Sequence, residues 1–109
     1  MRIFSKKTTL AAKGANGEGI PIPVAGMEST CIAVRGTFTA EAVFKASVDG
    51  VTWYDIYGHD VGDTNHDLAK KVTAPKLIQF RDLGGIQFLR ADVENWSNGA
   101  VTAELVGIG

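Results

Sequence analysis

The chain has 109 residues, with 11 Lys and Arg against 12 Asp and Glu, for a formal charge of −1 at pH 7. That length holds one domain, and so even a balance excludes a protein whose main work is neutralising phosphates, so no nucleic-acid partner is expected. The single cysteine, Cys31, excludes an internal disulfide and a thiolate zinc cage, and no apolar run reaches signal-peptide or bilayer-spanning length, so no membrane partner is expected.

Composition leans toward strands. Val (10), Ile (8) and Thr (9) outnumber Leu (6) more than fourfold, and β-branched side chains suit a pleated, half-buried surface. The N-terminal stretch to Lys13 carries four positive charges (Arg2, Lys6, Lys7, Lys13) and no acid. The run from Gly14 to Gly19 has three glycines in six residues. It reads as a basic arm or first edge strand followed by a mobile loop. Ile20-Pro21-Ile22-Pro23-Val24 alternates apolar residues with prolines, which lack the ladder donor and so mark an edge segment. Residues 1–24 are therefore expected as an extended arm and edge segment, and 25–109 as the domain. Deleting residues 1–19 is expected to leave that domain folded.

From Ser29 onward the period is two. Residues 30–36 form a short apolar strand in which Cys31 serves as a small buried hydrophobe. Ala42, Phe44, Ala46 and Val48 share one face of the next strand, with Val43, Lys45 and Ser47 on the other. Asp49-Gly50 is a tight hairpin signal, and residues 51–57 return, with Trp53 placed in the core. Residues 58–67 are a polar loop. Strands are expected near 70–74, at 76–80 and at 86–94, where Arg90, Asp92 and Glu94 point outward. Residues 95–99 read as a turn, and Val101, Ala103 and Leu105 face the core of the last strand. No window carries a helical apolar stripe. The expected fold is all-β: one antiparallel β-sandwich, jelly-roll-like, of seven or eight short strands.

Catalytic patterns are missing: there is no nucleophile elbow, phosphate loop or helical zinc-binding His pair. Cys31 has no base nearby, because His59 and His66 share one distant loop. The chain is therefore expected not to be an enzyme and to use no cofactor. Asp60, Asp63, Asn65 and Asp67 offer hard oxygens for calcium as the weaker alternative to an ordinary polar loop, although the spacing fits no EF-hand. Ile3, Phe4, Leu10, Ile20 and Ile22 give the arm apolar surface to bury against a partner, and Trp96, within a polar turn, is the exposed aromatic expected to make contact.

Residues 47–54, Ser-Val-Asp-Gly-Val-Thr-Trp-Tyr, resemble the Ser-x-Asp-Gly-x-x-Trp hairpin of small β-sandwich modules in tailed-bacteriophage virions. Residues 82–93 resemble a later strand of those modules, and 97–105 their final hairpin strand; together these matches cover most of 41–108. The resemblance implies a non-enzymatic virion protein, made in the host cytoplasm, that decorates the capsid or forms part of a head, neck or tail. It implies other virion proteins as partners, and a homo-oligomer. Carbohydrate-binding sandwiches carry similar hairpins, so the alternative is a glycan-binding module using Tyr57 and Trp96.

Overall fold

The computed structural model describes residues 3–65 and 67–109. Among these there is no helix, and eleven strands form two antiparallel sheets. β1 (Lys7–Lys13), β3 (Ser29–Arg35), β6 (Gly58–Asp60), β7 (Leu68–Ala69), β9 (Lys76–Arg81) and β11 (Val101–Ile108) make the larger sheet, in the order β1-β11-β3-β9-β6-β7. β2 (Ile22–Pro23), β10 (Phe88–Gly99), β4 (Phe38–Ser47) and β5 (Tyr54–Asp55) follow one another in the smaller, with β8 (Lys71–Val72) also paired to β4. The expected antiparallel sandwich is the observed fold. The extra strands are two- and three-residue pairings too short to leave a period in the sequence.

The core lies between the sheets, and the alternation places it. Ile32 and Val34 of β3, Ile78 and Phe80 of β9, and Val101, Ala103 and Leu105 of β11 face Ala42 and Phe44 of β4 and Leu89, Ala91 and Val93 of β10. Phe44 and Phe80 meet edge to face across the gap, with ring centroids 5.3 Å apart, the arrangement aromatic quadrupoles favour.

Three local readings are corrected. The Asp49-Gly50 hairpin is wider than a two-residue turn, since pairing resumes only at Ala46 with Tyr54. Asp49 organises the loop instead, its carboxylate accepting hydrogen bonds from the Val51 and Thr52 amides at 2.8 and 3.0 Å. Val48, expected inside, is exposed. Residues 95–99 are not a turn but a continuation of β10. Between the pairs Glu94–Glu41 and Asn98–Thr39, β10 spends two more residues than β4, and Asn95 takes a left-handed φ of 51°, so these turn-forming residues make a bulge. The chain then changes sheets at Gly99, whose φ is 83° and whose missing side chain would collide with the Thr37 carbonyl.

The segment expected as an arm is woven into both sheets. β1 pairs with β11, and a bulge between Thr8 and Leu10 turns the consecutive residues Thr9 and Leu10 inward, 1% and 2% exposed. The Thr9 hydroxyl donates to the Ile20 carbonyl at 2.8 Å and accepts the Ala91 amide at 3.2 Å. It thereby ties the larger sheet to the edge of the smaller. Of the two readings offered for the first stretch, the edge strand is the one observed, and the Ile20–Val24 segment also takes its expected edge position, with β2 hydrogen-bonded to β10.

Candidate interaction surface at the sandwich edge

β1 is an edge strand of the larger sheet and β2 of the smaller. Ahead of β1 the chain runs on along β11, with Ile3 bridged to Ile108 and the Phe4 amide donating to the Gly107 carbonyl at 2.9 Å. An open cavity of about 420 Å³ results, lined by Ile3, Phe4, Ser5, Ile22, Pro23 and Met27 among others. Ile3 stays 68% exposed and Ile20, further along with its amide on the Thr9 carbonyl, 61%. Of the six interface residues read from the sequence, the fold gathers Ile3, Phe4 and Ile22 around one cavity and leaves Ile20 exposed on the same flank.

The other two go elsewhere. Leu10 is a core residue, as is most of Ile22's side chain at 5% exposure; inward-facing alternation claims both, and neither is a free contact. Trp96 is half-buried, packs against the core, and donates its indole N–H to the Gly99 carbonyl at 2.9 Å. The bulge folds it back, so it is not the exposed aromatic expected. The exposed rings are Tyr54 and Tyr57.

Next to this edge lies a polar cluster that the sequence reading missed. Arg90 and Asp92 point outward from β10 as expected, yet are 7% and 6% exposed. Trp53, expected in the core, covers Arg90 from outside. Its ring centroid lies 4.1 Å from the Arg90 Cζ, a cation–π contact. The Asp92 carboxylate sits along one side of the guanidinium, with Nε 2.9 Å from Oδ1 and Nη2 3.3 Å from Oδ2, and Oδ1 also accepts the Gly19 amide at 3.0 Å. Glu18, itself mostly exposed, reaches the guanidinium from the far side at 3.4 Å. The run 14–19, expected to be a mobile loop, is therefore fixed to β10. A buried Arg and Asp two residues apart on a strand's outer face is the only sequence sign, and it looks the same as an ordinary solvated pair.

In the loop expected as a possible calcium site, Asp60 is spoken for by the Gly62 amide and by the Lys76 ammonium, each at 3.0 Å. Asp63 accepts the Asn65 amide at 3.1 Å. A hydrogen bond donated to Asp63 holds the Asp67 carboxyl protonated above its usual range, as two carboxyls sharing a proton do. Asn65 is exposed, and His66 lies outside the described residues. Among the described residues no three His, Cys, Asp or Glu side chains converge to hold a metal ion. Cys31 sits half-buried on the outer face of the larger sheet, and burial pushes its thiol up, away from the thiolate form that reacts.

Two sheets in antiparallel order over one core define a small β-sandwich protein with an open edge. Solved structures of that class match it along its whole length. The chain is similar to the SPBc2 prophage-derived protein YomS, with a TM-score of 0.87 and 18% identity over 100% of this chain and 96% of that one. It is also similar to the PBSX exported protein XepA, with a TM-score of 0.87 and 18% identity over 97% of this chain but only 37% of that one. At this identity the likeness establishes the fold. No protein-family model matches the sequence, and neither does any curated protein.

Proposed function

We propose that this protein is a non-enzymatic structural component of a phage or prophage particle, a capsid-decorating or head, neck or tail module that joins other virion proteins and further copies of itself through the β1–β2 edge. The observation that carries this reading is the open cavity lined by exposed Ile3, with Ile20 exposed further along the same edge, on a sandwich that overlays a prophage protein end to end. Exposed large apolar residues grouped at a sheet edge favour a protein partner. Repetition in a particle multiplies modest contacts, so each copy needs little affinity.

The test is light scattering of the purified protein beside the double variant Ile3→Asp/Ile20→Asp. The wild type is expected to scatter with the mass of an oligomer or to bind particles, and the variant to lose both with its melting temperature unchanged. A wild type that stays monomeric and binds no particle overturns the reading. The glycan-binding alternative keeps one favourable observation, the exposure of Tyr54 and Tyr57. It predicts tyrosine-dependent binding on a glycan panel.

A further inference from the structure

The free side of β10, away from β4, is covered piecemeal by one stretch of chain. Gln87 accepts the Val24 amide, Phe88 and Leu89 pair with β2, and Ala91 bonds Thr9. Beyond that point, among the described residues, only 16–19 remain. Gly17 exchanges two backbone hydrogen bonds with Val93, at 3.0 and 2.8 Å. The Gly19 amide meets Asp92, Glu18 reaches Arg90, and the Asn16 side-chain carbonyl accepts the Trp96 amide at 2.8 Å. The two parts of this cover differ in kind. β2 is guarded by Pro21 and Pro23, which present no amide to a newcomer. The 14–19 stretch is rich in glycine, contains no proline, and places its one charge at 3.4 Å, long for a charged pair.

We propose that residues 16–19 are a removable strap over the edge of β10 from Val93 to Trp96, and that this edge, once uncovered, takes an extended segment of a partner chain carrying an acidic residue. The acid is specified by the guanidinium. Trp53 and Asp92 hold Arg90 in place while its remaining edge faces Glu18, a fork that matches any carboxylate two-pronged. The backbone of Val93 offers the newcomer the same donor and acceptor that Gly17 now uses, which is strand addition to a sheet edge. The inference deepens the assembly reading and rests on it for the existence of a partner.

Hydrogen exchange at the Val93 amide tests the strap without any assembly assay. In the Asn16→Ala/Glu18→Ala variant, loss of two side-chain contacts is expected to speed that exchange about tenfold, with core amides such as Phe44 unchanged. Gly14→Ala, at a position where a side chain meets only ordinary contact, stiffens the strap and is expected to slow it. The probe for the uncovered edge is a synthetic peptide copying residues 16–24 at millimolar concentration. It is expected to restore slow exchange at Val93 in the loosened variant, and to do so less well when its glutamate is replaced by glutamine. The strap is overturned if Val93 exchanges no faster in the loosened variant. The acidic partner is overturned if the peptide has no effect or if both peptides act alike. Either result stands apart from the scattering test of Ile3 and Ile20.

Discussion

Trp53 lies over Arg90, 4.1 Å from ring centroid to guanidinium carbon, and so removes from water an ion pair that the pleat of β10 points toward it. A buried guanidinium is tolerable only while its partners remain. Arg90→Met is therefore expected to cost about 3–5 kcal/mol, because it strands the Asp92 carboxylate, 6% exposed, without its cation. Arg90→Met/Asp92→Leu is expected to cost much less than the single change. Chemical denaturation of the three proteins measures this directly, and equal losses would deny the pairing.

Thr9 makes a comparable test on the other side of β10. Thr9→Val keeps the shape and deletes the hydroxyl, leaving the Ala91 amide and the Ile20 carbonyl without that partner. A loss of about 1–3 kcal/mol is expected, as for other buried groups left unsatisfied, and Thr9→Ser should recover most of it. Denaturation midpoints for the pair decide the matter.

The two sheets were legible from the sequence because alternation reports which side of a strand is dry. Leu89, Ala91 and Val93, and likewise Val101, Ala103 and Leu105, landed inside as their spacing required. What alternation does not carry is anything that lands on an outward face from elsewhere in the chain. Nothing local to Arg90 says that Trp53, nearly forty residues away, will cover it. The bulges at Thr9 and Asn95 escaped for a related reason. An inserted residue breaks the period it would be detected by, so Leu10 read as an arm contact and Trp96 as a turn tip. The open edge was readable only in part: Ile3, Phe4 and Ile20 stood out as apolar residues in a segment that looked unpaired, while the pairing of β1 with β11 left no local trace.

Acid should destabilise the protein through several depressed carboxylates. The Arg35 and Lys6 charges hold Glu104 below its usual range, Lys71 and Asn95 do so for Glu41, and the Thr52 and Val51 amides for Asp49. For a carboxylate bound more weakly by protons in the fold, the stabilisation is present above its unfolded pKa and lost as pH falls through the folded one. The melting temperature is thus expected to fall on acidification through the ordinary carboxylate range and below it, and Asp49→Asn should flatten that slope. Asp67 has the opposite sign. Its carboxyl is raised by Asp63, so its contribution is present at low pH and lost as pH rises. Asp67→Asn is expected to raise the melting temperature at pH 7 and to leave it unchanged in acid.

Truncation separates an arm from a strand. An arm laid along a neighbour would be dispensable for folding, but residues 1–19 include all of β1, with Thr9 and Leu10 inside the core and Gly17 and Gly19 on β10. Removing Leu10 alone takes away a fully buried side chain, a loss of about 2–5 kcal/mol for Leu→Ala at such sites. Deleting the whole stretch also uncovers the long edge of β11, which would then offer unpaired backbone to other chains. The truncated protein is expected to aggregate or to lose its strand signal in circular dichroism, whereas Ile3→Asp/Ile20→Asp keeps a wild-type spectrum. If the truncated chain instead folds with an unchanged spectrum and melting temperature, β1 is the detachable arm after all, and the cavity beside Ile3 and Phe4 is not a fixed feature of the fold.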